Sequence, residues 1–306
     1  MNWSVIINPT AGGGKAEKQW HQKIAPLLQQ KNIFHQTAFT QSAGHASKLT
    51  QQLIETGSRH ILAVGGDGTF HEVANGIMNQ TIVASTEITF AVIPVGTGND
   101  WIRSLEIPSE LEAAIHILQN GTTFLQDIGL VTFMNQYKEQ EHRYFINVAG
   151  AGFDGYVAYR MGKSLKRFGQ FTYFWELLKG IVSFQNIPIQ LQSGSFQSDT
   201  PIFMLNVGIG KYLGSGMKVV PNAVLDDGLF DVTFIEKASK MEVLGQLNGL
   251  YDGSFIHFHK VKYFQTTQIS IEATGKTLLY VQADGELLGF APLQFEILPK
   301  MLKVLR

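Results

Sequence analysis

Over the first 125 residues, short apolar runs alternate with apolar positions at helical spacing. Trp3 to Ile7, Phe34 to Phe39, Ile61 to Val64 and Ile88 to Ile93 read as strands. Between them Trp20, Ile24, Leu27 and Leu28 define one helix face, which Pro26 is expected to bend. Leu49, Leu53 and Ile54 define a second, stopped by Gly57. Phe70, Val73, Ala74 and Ile77 define a third, beginning near Thr69. Ser109-Glu110-Leu111-Glu112 has the form of a capping box before Leu111, Ala114, Ile115 and Leu118, with Gly121 after them. Strand and helix repeated in this way predict an α/β unit with a parallel sheet covered on both faces.

After residue 125 the rhythm changes. Phe124 to Phe133 and Arg143 to Ala149 read as strands around a polar hairpin from Asn135 to His142. Further strand-like runs follow at Ile187–Gln192, Pro201–Val207, Leu229–Ile235, Val261–Glu272, Leu278–Ala283 and Leu293–Leu298. The expectation is an α/β domain over 1–125 and a mainly antiparallel β-sandwich domain from 126 to 292.

Composition narrows the classes. Apolar residues make up 44% of the 306-residue chain and charged ones 16%, a globular balance with room for real cores. A net charge of −1 provides no field to attract nucleic acid. There is no cysteine, hence no disulfide, thiolate metal site or cysteine nucleophile. No apolar run reaches the ~18 residues of a membrane span, and no basic leader precedes the first strand. A soluble protein, at most peripheral to a membrane, is expected.

The candidate chemistry sits in the turns. Gly65-Gly66-Asp67-Gly68-Thr69 joins an apolar strand to a helix start. Glycines allow close backbone approach to a ligand, and a helix start offers free N–H groups and a positive dipole end, so this is an anion site. Asp67 would repel bound phosphates unless compensated, which suggests metal-assisted phosphate chemistry. Pro94-Val95-Gly96-Thr97-Gly98-Asn99-Asp100 is a second glycine turn at a strand end, and the two turns could share one crevice. Asn8-Pro9-Thr10-Ala11-Gly12-Gly13-Gly14-Lys15 is glycine-rich too. With Pro9 and Ala16 where a Walker A motif needs Gly and Ser or Thr, it is no P-loop. It reads either as a loose nucleotide lid or as a flexible connection. Thr40 ends the second strand, where open α/β sheets bind ligands.

Gly150-Ala151-Gly152-Phe153-Asp154-Gly155 matches GxGxxG outside any βαβ unit and reads as a turn at a domain junction. Residues 160–184 set Arg160, Lys163, Lys166 and Arg167 beside eight aromatic or aliphatic residues, from Phe168 to Ile181. They suit either an anionic membrane surface or acyl chain, or the β-domain core. Asp226-Asp227-Gly228 and Asp284-Gly285-Glu286 read from composition as ordinary turns.

Taken in order, these motifs resemble the bacterial diacylglycerol kinase family of soluble lipid kinases, relatives of sphingosine and ceramide kinases. The resemblance rests on Asn8 to Gly12, Gly65 to Thr69, Pro94 to Asp100, Asn206-Val207-Gly208, Leu225 to Leu229 and Asp284 to Glu286. NAD kinases share the GGDGT element but lack the two later acidic motifs in this arrangement. The resemblance implies a phosphofructokinase/NAD kinase-like nucleotide domain with ATP in an interdomain cleft, and a β-rich domain that receives the lipid. The last strand, about 293–306, would return to the first domain. ATP contacts map to Asn8, Pro9, Thr10, Ala11, Gly12, Thr40, Gly66, Asp67, Gly68, Thr69, Phe70, His71, Glu72 and Thr97. A structural Mg²⁺ maps to the Asp227 side chain and the carbonyls of Val224 and Leu229, with Asp127 and Asp67 linked through water. A second Mg²⁺ would travel with ATP. Asp284 would be the general base, with Glu286 beside it.

The implied activity is transfer of the γ-phosphoryl of MgATP to a hydroxyl of diacylglycerol or a similar lipid at a membrane surface. The competing expectations are an NAD kinase-like enzyme with a soluble substrate and a non-catalytic lipid-binding regulator, although Asp67, Asp227, Asp284 and Glu286 are all present. Two departures stand out. Gly12 to Gly14 replace a spaced glycine–serine pattern, and Gly-Thr-Gly stands where many bacterial members have Gly-Thr-Ala. The lipid's identity and the oligomeric state stay open, a homodimer being common for such enzymes.

Overall fold

The computed structural model describes residues 2–96, 98–161, 179–194 and 196–306. The chain forms two compact units, Met1–Ile128 with Pro299–Arg306, and Gly129–Leu298.

The first unit runs β1 (Asn2–Ile7), α1 (Ala11–Gly14), α2 (Ala16–Gln19), a π-helical turn Trp20–Ile24, α3 (Ala25–Gln30), β2 (Phe34–Phe39), α4 (His45–Glu55), β3 (His60–Gly65), α5 (Asp67–Asn79), β4 (Thr89–Pro94), α6 (Asp100–Ser104) and α7 (Leu111–Asn120). The four strands pair in parallel in the order β2-β1-β3-β4. The chain's last residues extend the sheet, with Lys303 and Val304 parallel to Thr89 and Phe90. Alternation along the strands fixes which side chain meets which helix. Trp3, Val5 and Ile7 join Leu62, Val64, Ala91 and Ile93 on one face, against Trp20, Ile24 and Leu28 from the first helical run and Ala114, Ile115 and Leu118 from α7. Phe70, Val73 and Ile77 of α5 are also fully buried. Trp101 stacks on Phe90 with ring centroids 5.5 Å apart, and its indole N–H donates to Gln126 Oε1 at 3.1 Å. A buried tryptophan thereby keeps its one polar group satisfied.

Three local expectations are corrected here. Pro26 does not simply bend the first long helix. It stands in the first turn of α3, directly after the π-helical turn, where the wider spacing relieves the clash a proline ring makes with the preceding turn. α5 starts at Asp67, two residues ahead of Thr69, because the extended Gly66 serves as N-cap and its carbonyl accepts the Thr69 and Phe70 N–H groups. The capping box at Ser109 does not form. Glu110 is the N-cap of α7 and no side chain caps it, since the helix begins two residues after the serine.

The second unit contains the rest of β5 (Thr123–Met134), then β6 (Gln140–Phe145), β7 (Val148–Gly152), α8 (Phe153–Met161), β8 (Ile189–Ser193), β9 (Phe196–Ser198), β10 (Ile202–Gly208), β11 (Phe230–Glu236), β12 (Val261–Thr266), β13 (Gln268–Ala273), β14 (Tyr280–Ala283) and β15 (Glu286–Leu305). Antiparallel pairing runs β12-β11-β10-β7-β14 and on to the start of β15. A second set joins the middle of β15 to β13, β8 and β9. The buried faces carry Phe145, Phe230, Phe234 and Phe295, with Phe145 stacked on Phe230. Among the described residues no helix is long and apolar enough to cross a membrane.

Here too the sequence expectations shift. Arg143 to Ala149 is not one strand, because the chain leaves extended pairing at Ile146-Asn147. Val261 to Glu272 divides at Thr267 into β12 and β13. β15 is far longer than Leu293–Leu298, and β9 carries no readable signal in three residues. Gly150 to Gly155 is the end of β7 and the start of α8, inside the second unit instead of at a junction. Gly155 is required there. A Cβ on it would lie 2.1 Å from the Tyr280 carbonyl oxygen. The mixed reading of 160–184 largely concerns residues 162–178, which lie outside the described residues. Of the remainder, Ile181 and Phe184 are buried, with Phe184 edge-on to Phe153 and Phe203.

Candidate functional site

In the first unit, loops after β1, β3 and β4 meet at the carboxyl ends of the strands. The Asn8 side-chain amide donates to Thr69 Oγ1 at 3.0 Å, and Asn8 Oδ1 accepts the Thr10 N–H and hydroxyl at 3.1 and 2.8 Å. One asparagine thus ties the first glycine loop to the start of α5. The Val95 N–H donates to the Gly65 carbonyl, drawing the second and third loops together. A Cβ on Gly96 would lie 3.2 Å from the Gly66 Cα and 2.9 Å from Asn99 Oδ1, so glycine is needed for that approach. Gly12 and Gly13 are left-handed, at φ +61° and +71°, which wraps the first loop over Val95.

The result is a set of glycine loops meeting at a helix N-terminus, where backbone N–H groups and the positive dipole end favour an anion. The puzzle of Asp67 is partly answered by its Oδ1, which accepts the Trp101 N–H in the first turn of α6 at 3.2 Å. Thr40 closes the end of β2, its N–H donating to the Ile7 carbonyl. Pro9 and Ala11 lie in the first loop, and Thr97 lies outside the described residues. Phe70 and His71 are buried in α5, so their side chains serve packing. Glu72 is committed locally: its carboxylate accepts the Gly44 N–H at 2.7 Å and the Ala46 N–H at 3.0 Å, capping α4. Asp127 is fully buried and accepts the Lys300 N–H at 2.8 Å, fastening the terminal strand.

In the second unit the dominant feature is Asp284. Its Oδ2 accepts the Ile146 N–H at 2.9 Å, and its Oδ1 accepts the Asn147 and Val148 N–H groups at 3.0 and 3.2 Å. These are the amides exposed by the break between β6 and β7. Asp284 itself is buried and left-handed at φ +49°, the turn that aims it at them. Glu286 follows at the start of β15. Asp227 is exposed, and one of its oxygens accepts the Leu229 N–H at 3.0 Å, an Asx turn around Gly228. Val224 is exposed beside it. Among the described residues no three acidic or histidine side chains are grouped to hold a metal.

Several site features escaped sequence reading. The three amides around Asp284 were hidden inside an expected strand, although an asparagine within the apolar run Phe145–Ala149 was a signal against one. Gly150 faces Asp154 and Gln282, and a Cβ on it would lie 2.6 and 2.8 Å from Asp154 Oδ2 and Gln282 Nε2. Among the described residues neither of those atoms has a hydrogen-bond partner. Burial pushes the Asp154 carboxyl up to about 7. Burial also raises Asp231, against the opposing hydrogen bond from the Tyr263 hydroxyl.

A parallel sheet with a glycine-lined helix start at its carboxyl edge and a separate antiparallel β unit are the parts of an NAD kinase-like fold. A family model described as the diacylglycerol kinase catalytic domain matches residues 2–131, and one described as the YegS C-terminal NAD kinase beta sandwich-like domain matches residues 147–306. Diacylglycerol kinase of Staphylococcus epidermidis is 31% identical over 300 residues, 95% of this chain and 87% of that protein. Diacylglycerol kinase of Staphylococcus carnosus is 30% identical, covering 98% and 93%. That of Mycobacterium tuberculosis is 27% identical, covering 99% and 94%. The crystal structure of a diacylglycerol kinase from Bacillus anthracis superposes with a TM-score of 0.73 at 22% identity, over 99% of this chain and 96% of that one, which shows the shared fold. The chain belongs to the diacylglycerol kinase family, and it is a phosphotransferase with an alcohol group as acceptor.

Proposed function

We propose that this lipid kinase transfers the γ-phosphoryl of MgATP to a hydroxyl of diacylglycerol or a closely similar lipid. The observation that carries the nucleotide half is the meeting of the three loops through Asn8–Thr69 and Gly66–Gly96. A polyphosphate suits this helix start because the dipole end is positive and glycine backbone at Gly66 and Gly68 lets it approach closely. Asn8, Thr10, Gly12, Gly66, Gly68 and Thr69 would hold it, chiefly through backbone.

Bound MgATP supplies the phosphoryl group and the cation charge that offsets it in transfer. The chain's own part is positioning. Asp284, held by three amides, takes the proton of the attacking hydroxyl, and Glu286 follows two residues later. Asp227, with the carbonyls of Val224 and Leu229, is the proposed ligand set for a structural Mg²⁺. Its exposure leaves the carboxylate accessible to a cation.

The test is transfer of labelled γ-phosphate to a panel of hydroxyl lipids in mixed micelles, with NAD as control. Label in diacylglycerol or a relative supports the reading. Label in NAD alone would replace the lipid acceptor with a soluble one.

A further inference from the structure

One part of the second unit holds apolar residues that its own core does not absorb. After β11 the chain forms a helix, Lys240–Gly245, and a helical turn, Gly249–Asp252, and no residue of either is buried. Met241 is 77% exposed and Leu244 38%. Beside them stands Val182, 63% exposed, whose carbonyl accepts a hydrogen bond from the Lys240 ammonium. At helical spacing Lys240, Met241 and Leu244 fall within about 100° of arc, so they share one outward face. Behind the helix is a cavity of about 40 Å³ lined by Phe203, Met204, Ile235, Val243, Leu250 and Phe255 among others.

The helix is nonetheless well anchored. Ser239 and Glu242 form a reciprocal capping box, and Glu242 is paired with Lys260 at 2.7 Å. The charge around it leans positive, although the exposed Asp252 ends the neighbouring helical turn. Glu242 is neutralised by Lys260, and Glu236 stands 3.9 Å from Lys262. Lys237 and Lys240 remain at the surface. An apolar face with a cationic border complements an anionic lipid surface, where inserted side chains and lysines act together.

We propose that Val182, Met241 and Leu244, bordered by Lys237 and Lys240, form the face by which this protein docks on an anionic phospholipid bilayer. The inference rests on the lipid kinase reading, since an acceptor held in a bilayer has to be reached from its surface.

The test is co-sedimentation of the full chain with phosphatidylcholine vesicles, with and without phosphatidylglycerol. The wild type should favour the anionic vesicles, increasingly so at low salt. Met241→Asp and Leu244→Asp should each lower partitioning about tenfold or more, and a Lys237→Glu/Lys240→Glu double variant should lower the anionic preference several-fold. Met241→Trp should strengthen binding. All positions are exposed, so melting temperatures should hold, and transfer to a short-chain acceptor in detergent micelles should stay within about twofold of wild type. Wild-type partitioning by both aspartate variants would overturn the proposal. So would a dimer in solution that Met241→Asp converts to monomer, because the face would then cover a second copy. If no lipid accepts label, the kinase reading fails by itself, and sedimentation still decides the docking face.

Discussion

Two carboxylates in the second unit illustrate opposite uses of burial. Asp284 is buried but receives three backbone N–H bonds, which orient it and satisfy its oxygens. Asparagine would preserve its shape while turning an NH₂ toward at least one of those donors, at a cost of roughly 1–3 kcal/mol. Asp284→Asn should therefore reduce turnover by ~10²–10⁴ and lower the melting temperature, with nucleotide binding intact by calorimetry. Near-normal turnover would remove Asp284 from the chemistry, and an equal loss in Glu286→Gln alone would pass the role to Glu286. Asp154 is the contrary case: its enclosed Oδ2 has no donor among the described residues, and its carboxyl is pushed from 3.8 up to about 7 by burial. Between those values the native chain binds more protons than the unfolded one, so this group's contribution is fully present below pH ~4 and is lost as pH rises through 7. Full burial would make that about 4 kcal/mol, but Asp154 is partly accessible, so roughly 1–3 kcal/mol is expected. Asp154→Asn should match wild type in thermal melts near pH 4 and exceed it at pH 8. A constant difference across that range would mean the proton is not involved.

At the next level the loops act through the absence of side chains. Gly96→Ala would set a methyl 2.9 Å from Asn99 Oδ1 and 3.2 Å from the Gly66 Cα, forcing the two loops apart. Strain of roughly 1–3 kcal/mol follows, or about 5- to 150-fold in nucleotide affinity by titration. If Gly96→Ala binds nucleotide as the wild type does, the loop approach is not what forms the site. The legibility of these elements follows their physics. β1, β3 and β4 were readable because each is a largely apolar run bounded by polar or glycine turns, and the first-unit site was readable because glycines mark it directly. The break at Ile146-Asn147 was not, because it is set by a carboxylate more than 130 residues away. Nor was the local duty of Glu72, whose partners at Gly44 and Ala46 are brought to it by packing of α4 on α5. Spacing identifies what a residue can do, and distant partners determine what it does.

Across the whole chain, the order of residues and the order of compact units disagree. The chain passes from the first unit to the second at Ile128–Gly129 and returns at Leu298–Pro299. The returning segment is short, yet Leu302 and Val304 are fully buried, Leu305 nearly so, and Arg306 and Thr122 exchange backbone hydrogen bonds. Burying each such aliphatic side chain is worth roughly 1.5–3 kcal/mol. Three of them rival the ~5–15 kcal/mol by which a domain is usually stable. The same segment donates the Lys300 N–H to the buried Asp127, so its loss would also remove a hydrogen bond from that carboxylate. A fragment of residues 1–128 should consequently lack a cooperative thermal transition by circular dichroism. Fusing residues 299–306 to its end through a flexible linker should restore the transition, and nucleotide binding with it. A cooperative melt of 1–128 alone would show that the parallel sheet needs no strand from the end of the chain. The returning strand would then serve the second unit or the connection.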